Sequence, residues 1–358
     1  MLRDRIRVGI VGANMSAADP LRHSWGARAH LPALTALPEF EVVAVCTSHL
    51  DTARQTAGHF DIPFAFDDVA AMVEHPDVDV VDVCIDVASH HAVVLQALRA
   101  GKHVVCEWPL GADLAESQEL RDAAEAAGVR HAICLQARYA PVYQYMRHLV
   151  AAGYVGRVLS CSLNGSMAMA ASPRSASLAL IHAGHCLDTL SFVAAQELRR
   201  TSSIVQIDPV ANHVLIHGRH DDGALVDVNI RHVPVFGTGF TFEVDGTEGV
   251  LVASIDGADL PARGIRSLGE QLNQATLSGA RAGEPVTPMV VPAEHRWVPA
   301  QVPAGPAVAI AQLLRRFEGA VRSGTPLETD FGLAVRRHEL FATSARTSEA
   351  GQITFDPS

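Results

Sequence analysis

The first residues with spacing suited to chemistry are Gly9, Gly12 and Asn14, in the run Val8-Gly9-Ile10-Val11-Gly12-Ala13-Asn14. An apolar strand that ends in glycine and turns into a helix brings backbone N–H groups close to a pyrophosphate. The helix N-terminus adds favourable charge. Gly12 is expected to face that pyrophosphate, with no room for a side chain. The full G-x-G-x-x-G spacing is absent. Asn14 stands where the second glycine belongs, and Met15 to Trp25 reads as an insertion before Gly26 and a helix. Asparagine tolerates left-handed backbone, so the turn is expected to survive with Asn14 in it. Ribose selectivity is read after the second strand, where a carboxylate marks NAD. Here Cys46-Thr47-Ser48-His49 offers hydroxyls and an imidazole instead. Thr47, Ser48 and His49 suit a 2′-phosphate. The expected cofactor is NADP or NAD, with NADP favoured.

These residues need a scaffold, and the first 135 positions supply its pattern. Apolar runs at Ile6–Val11, Glu41–Cys46, Val78–Ile85, Val104–Cys106 and His131–Leu135 alternate with helical stretches. Gly101 and Gly128 stand where two of those helices, His91–Ala100 and Leu114–Ala127, must stop. Asp79 and Asp82 interrupt the third run. Strand and helix in alternation predict a parallel α/β sheet, a Rossmann dinucleotide-binding domain over residues 1–135. After Tyr139 the pattern changes. A helix at Pro141–Ala152 precedes longer strands separated by Asp-Gly turns. Residues 136–358 are expected to form an α+β domain with a large, mostly antiparallel open sheet. Residues 255–304 read as a surface excursion, and Val308–Ser323 and Phe331–Ser348 as helices.

Composition excludes several classes. The net charge is -11, with 39 acidic and 28 basic side chains and no basic run, which argues against nucleic acid. No apolar stretch approaches the ~18 residues of a membrane span, and no signal core precedes the first strand, so a cytoplasmic protein is expected. The 6 cysteines form no C-x-x-C pair and read as reduced core thiols. The 18 histidines are scattered, and no metal is expected.

Gly101-Lys102-His103-Val104-Val105-Cys106-Glu107-Trp108-Pro109-Leu110 resembles the glucose–fructose oxidoreductase / inositol dehydrogenase / rhizopine-catabolism (Gfo/Idh/MocA) family. There the fourth strand runs into an E-K-P turn. His30-Leu31-Pro32-Ala33-Leu34 and Gly184-His185-Cys186-Leu187-Asp188 are similar as well. Val87-Ala88-Ser89-His90, Glu107-Trp108, Leu135-Gln136-Ala137-Arg138 and Gly153-Tyr154-Val155-Gly156 resemble a subgroup that includes the fungal galactose-pathway repressor. The resemblance implies a Rossmann domain, then an α/β domain whose open sheet covers the cofactor and mediates oligomers. It implies cofactor contacts from Glu107, Trp108 and His90, although His90 reads equally as a helix-start residue.

Two departures alter the chemistry. The family's catalytic lysine position holds Trp108, and the aspartate expected four residues before the histidine is Ile181. His185 and Asp188 remain, with His182 as an extra ionisable group. Imidazole titrates near neutral pH, so His185 is the leading acid/base candidate and His182 the second. Trp108, Arg138, Tyr139 and Asp188 are expected to meet substrate, with an interdomain contact as the other reading of Arg138 and Tyr139. The expected function is NAD(P)-dependent hydride transfer on a small polar carbonyl, imine or sugar-like substrate. The alternative is a non-catalytic dinucleotide-binding sensor with a protein partner. A homodimer or homotetramer is expected, because strands Leu225–Val233 and Thr241–Val244 read as apolar beyond strict alternation.

Overall fold

The computed structural model describes residues 4–15, 23–168, 175–207, 212–233, 237–256, 272 and 274–349. The insertion expected at Met15–Trp25 lies outside them over 16–22, as do 257–271 and 273 of the expected excursion. The chain divides into two compact units: Met1–Tyr139 with Arg296–Arg336, and Ala140–His295 with Arg337–Ser358.

The first unit is built on six parallel strands: β1 (Ile6–Val11), β2 (Phe40–Cys46), β3 (Phe64–Phe66), β4 (Val80–Val83), β5 (His103–Glu107) and β6 (His131–Cys134). Their spatial order is β3-β2-β1-β4-β5-β6. Every residue of β1 and β4 is buried, which is why both read as mainly apolar runs, broken only by Arg7 and Asp82. The order reverses between β1 and β4. Ligands of such sheets bind in the crevice outside the strands' C-terminal ends at that switch point.

The helices follow local signals. A π-type turn at Gly26–His30 leads into α1 (Leu31–Ala36). Then come α2 (Leu50–Phe60), α3 (Val69–Glu74), α4 (His90–Arg99) and α5 (Leu114–Ala127). At α5 the Asp113 carboxylate accepts from Glu116 N–H at 2.9 Å, and the Glu116 side chain accepts from Ala112 N–H at 2.8 Å. Gly128 ends it at φ 65° and Gly101 follows α4 at φ 69°, as their positions predict. Sequence periodicity did not reveal β3 and α3, which are too short to show a period.

Residues 296–336 return to this unit, so its limits differ from the expected division at 135. The helix α8 (Pro306–Ser323) packs on α1 and on the 3-10 turn Gln136–Tyr139. Gln312 clamps the return. Its amide donates to the Tyr139 carbonyl, and its oxygen accepts from Trp297 N–H at 2.9 Å. Ile133 N–H donates to the Thr329 carbonyl at 2.8 Å, just before α9 (Phe331–Glu349).

The second unit holds α6 (Pro141–Ala151), α7 (Ser175–Ala194) and an eight-stranded sheet. Its strands are β7 (Val158–Ala168), β8 (Leu198–Ile207), β9 (Asn212–His220), β10 (Leu225–Val233), β11 (Gly239–Gly246), β12 (Gly249–Asp256), β13 (Thr276–Arg281) and β14 (Thr287–Met289). Only the β7–β10 pair is parallel. Within the expected excursion, β13 and β14 extend the sheet. The helix α7 packs against β7 to β10. Alternation along β10 is stricter than expected: Val226, Val228 and Ile230 are buried, whereas Asp227, Asn229 and Arg231 are half-buried on the other face. That other face mixes polar pairs with apolar side chains such as exposed Leu225 and half-buried Leu215. His217 and Asp227 pair across it at 2.7 Å, His213 and Asn229 at 2.8 Å, and Ser160 and Asp245 at 2.9 Å.

Candidate functional site

Gly12 follows β1 at φ 96°. A Cβ there would lie 2.3 Å from the Cys84 carbonyl oxygen and 2.5 Å from the Ile85 side chain. The missing side chain therefore makes room for the chain's own backbone beyond β4, and not only for a ligand. Gly9 sits inside β1, and its bare Cα admits Met72 of α3: a Cβ would approach the sulfur to 3.1 Å. Its role in the fold is packing. Asn14 is exposed, and it is not among the residues with positive φ. The left-handed conformation expected of Asn14 belongs to Gly12. The insertion is closed at its neck, where Ser24 N–H donates to the Asn14 carbonyl at 2.8 Å. Gly26 then packs against Ala13 and Cys84, the close helix–strand contact that a third motif glycine provides.

At the end of β2 the Thr47 hydroxyl is held in its own turn. It lies 2.8 Å from the His49 carbonyl and 2.6 Å from the Thr52 hydroxyl. Ser48 and His49 are exposed, and His49 precedes α2.

The strongest polar feature of this edge is a group the sequence reading did not assemble. His30, fully buried on the helix after β1, places Nδ1 2.8 Å from Asp82 of β4 and Nε2 2.8 Å from Glu107 at the end of β5. Burial alone would lower the imidazole pKa. The Asp82 charge and hydrogen bond, followed by those of Glu107, reverse this and raise it to about 10. His30 is therefore an imidazolium at neutral pH. Asp82, which reads as an interruption of the strand, is the buried partner that holds it. A carboxylate inside an all-buried strand must be paired, and that signal was available in the sequence. The Cys134 thiol also hydrogen-bonds to Glu107. Burial, reinforced by Glu107 and Asp82, pushes the thiols of Cys84, Cys106 and Cys134 well above their ordinary pKa. His30 with Asp82 and Cys84, and His30 with Glu107 and Cys134, bring metal-type donors within 4.8 Å. Both ring nitrogens of His30 lie within hydrogen-bonding distance of these carboxylates.

Trp108 is 3% exposed and joined to Pro109 by a cis peptide bond. His90 fixes this turn: Nδ1 lies 2.8 Å from the Pro109 carbonyl and Nε2 3.1 Å from the Ile85 carbonyl. Burial lowers its pKa against the pull of these carbonyls. Both nitrogens face backbone carbonyls, and His90 is the first residue of α4. Arg138 and Tyr139 are buried. The Tyr139 hydroxyl lies 3.0 Å from the Thr329 hydroxyl and 3.5 Å from Glu328, within the returning segment. That bonding ties Tyr139 to the returning segment of its own unit.

In the second unit, His182, His185 and Asp188 recur every third residue along α7, and all are buried. Asp188 lies 3.3 Å from Nε of Arg337, which also reaches Glu197 at 2.8 Å. Arg337 is 1% exposed. Asp188 is thus a counterion of a buried guanidinium. Arg337 drew no attention in the sequence, because nothing local marks it. The Thr189 hydroxyl donates to the His185 carbonyl at 2.7 Å.

Residues 6–134 match the GFO_IDH_MocA family model, described as an oxidoreductase family with an NAD-binding Rossmann fold. The Rossmann domain of this chain belongs to the Gfo/Idh/MocA oxidoreductase family. An uncharacterized oxidoreductase of Synechocystis is 25% identical over 68% of this chain and 72% of that protein. The galactose/lactose metabolism regulatory protein GAL80 of Saccharomyces cerevisiae is 28% identical over 45% of this chain and 38% of its own length. Among solved structures, levoglucosan dehydrogenase in complex with NADH and L-sorbose superposes with a TM-score of 0.79 at 18% identity, covering 97% of this chain and 98% of that one. The likeness of fold thus covers residues of both units. Among the described residues no helix is long and apolar enough to cross a membrane.

Proposed function

We propose that this Gfo/Idh/MocA chain is an NAD(P)-dependent oxidoreductase that transfers hydride to or from a small polar carbonyl, imine or sugar-like substrate, without the family's lysine. The observation that carries the reading is the parallel sheet with its switch point between β1 and β4, where Gly12 turns the chain and residues 6–134 match the family. The NADH complex of levoglucosan dehydrogenase supports a nicotinamide cofactor here. NADP is the proposed form, because exposed Ser48 and His49 follow β2 where a ribose-binding carboxylate is absent. His185, with His182 second, handles the proton, and Trp108 shapes the nicotinamide end of the site. The six buried free thiols fit a reducing, cytoplasmic setting.

The test is absorbance-monitored turnover of NADP(H) and NAD(H) against a panel of polyols, aldehydes, ketones and imines. The account expects turnover with one class. It expects His185→Ala to lower kcat by about 100-fold or more and to remove a near-neutral ionisation from the pH–rate profile. Absence of turnover across the panel, with His185→Ala indistinguishable in every assay, contradicts it.

Trp108 favours a second reading. Indole cannot shuttle a proton, and the chain is similar to a regulatory protein, GAL80. Under that reading the protein senses the dinucleotide and binds a protein partner, and partner affinity changes when NADP is added.

A further inference from the structure

Two histidines of the second unit meet at its surface, and the cofactor reading makes no use of them. His148 lies in the last turn of α6, and His295 ends the 3-10 turn Ala293–His295, which packs against α6. The two rings stand 5.6 Å apart between centroids, at an interplanar angle of 64°. Tyr145, one turn before His148 on α6, faces both. Its ring centroid lies 6.3 Å from that of His148, in a stacked arrangement, and 5.0 Å from that of His295. Tyr145 and His295 are half-buried, and His148 is exposed. Among the described residues, no hydrogen bond or ion pair engages the ring nitrogens of either histidine.

We propose that His148 and His295 form a site for a divalent transition-metal ion, with Tyr145 as the positioning residue that holds the two rings together. Neutral imidazole suits Cu²⁺, Ni²⁺ and Zn²⁺, whereas Mg²⁺ and Ca²⁺ take oxygen ligands. A metal–nitrogen bond of about 2.0–2.1 Å puts the ion roughly 3.2 Å from the centroid of its ring. Two rings that share an ion then stand about 5.2 Å apart at a tetrahedral angle and about 6.4 Å apart when opposed. The observed 5.6 Å lies between these limits. Because His148 is exposed, its ring can turn a nitrogen toward the ion at little cost. Water fills the remaining positions, and the exposed Glu294 carboxylate beside His295 adds attraction for a cation. The ion joins α6 to the segment that precedes the return of the chain to the first unit. The site lies within the second unit and is independent of the dinucleotide reading.

The experiment is calorimetric titration of the intact chain, His148→Asn and His295→Asn with Ni²⁺, and with Mg²⁺ as the oxygen-seeking control. The intact chain should bind Ni²⁺ with a Kd tighter than about 100 μM and give no saturable heat with Mg²⁺. Either substitution removes one of the two protein ligands and should weaken Ni²⁺ binding by about tenfold or more. Tyr145→Leu keeps both ligands and should weaken it by a smaller factor. Electron paramagnetic resonance of the chain loaded with one equivalent of Cu²⁺ should report two imidazole nitrogens, and one in His148→Asn, which separates this pair from the other histidines of the surface. His148 is exposed, so His148→Asn carries the test should His295→Asn fail to fold. Ni²⁺ binding weaker than about 100 μM, equal binding of Mg²⁺, or binding that His148→Asn leaves unchanged overturns the inference. Unchanged binding by Tyr145→Leu overturns the positioning role of the tyrosine.

Discussion

At Gly12 the limiting contact is backbone. The Cys84 carbonyl would sit 2.3 Å from an added Cβ, and φ is positive as well. Gly12→Val should therefore destabilise the fold by about 2–4 kcal/mol, measured by urea unfolding, in addition to any loss of ligand. An unchanged midpoint contradicts the geometry. Sequence alone identified the glycine but assigned the excluded volume to a ligand. Buried charges give a second case. Arg337 and Asp188 compensate each other in the core of the second unit. Arg337→Met leaves that carboxylate buried without its guanidinium, and should cost about 3–5 kcal/mol. Adding Asp188→Asn should recover part of the loss, and additive effects in that double-mutant cycle would contradict the coupling. Neither partnership was legible locally: Arg337 lies 149 residues from Asp188 in sequence. The Asp82 pairing was half legible. The strand showed that the carboxylate needed a partner, but not that His30 was the partner.

Helices and strands with clear terminal signals were readable. The helix α5 lies between Asp113 and Gly128, where capping chemistry puts it. What periodicity could not show was the return of 296–336 to the first unit, which depends on contacts such as Gln312 with Tyr139. Elements also set the pH response through their histidines. His30, between the first helix, β4 and β5, has its pKa raised from 6.5 to about 10. The stability it contributes is complete below about 6.5 and is lost as pH rises to about 10. His131 opens β6 and accepts from Phe331 N–H at 3.0 Å. Burial, against the opposing charge of Asp330, lowers its pKa from 6.5 to about 4. Its neutral form belongs to the fold, so that contribution is complete above about 6.5 and is lost as pH falls to about 4. Melting temperatures from pH 4 to 10 should show both slopes. His30→Gln should flatten the alkaline one and His131→Asn the acid one. Retention of the alkaline slope in His30→Gln would show that another group titrates there.

Over the whole molecule, the parallel sheet with its switch point and the mostly antiparallel second sheet follow the sequence's change of pattern near Tyr139. The second sheet's other face carries polar pairs together with exposed Leu225 and half-buried Leu215, Val250 and Val252. We propose a homodimer or homotetramer through that face. Light scattering at micromolar concentration should show association, and a monomer contradicts it. The central claim is that the crevice at the β1–β4 switch point holds a nicotinamide dinucleotide. Calorimetric titration of the intact chain with NADP and NAD tests it most directly. Saturable binding of one dinucleotide per chain is expected, tighter than about 100 μM for the preferred form, within the range enzymes use for such ligands. Binding weaker than about 1 mM for both would contradict it.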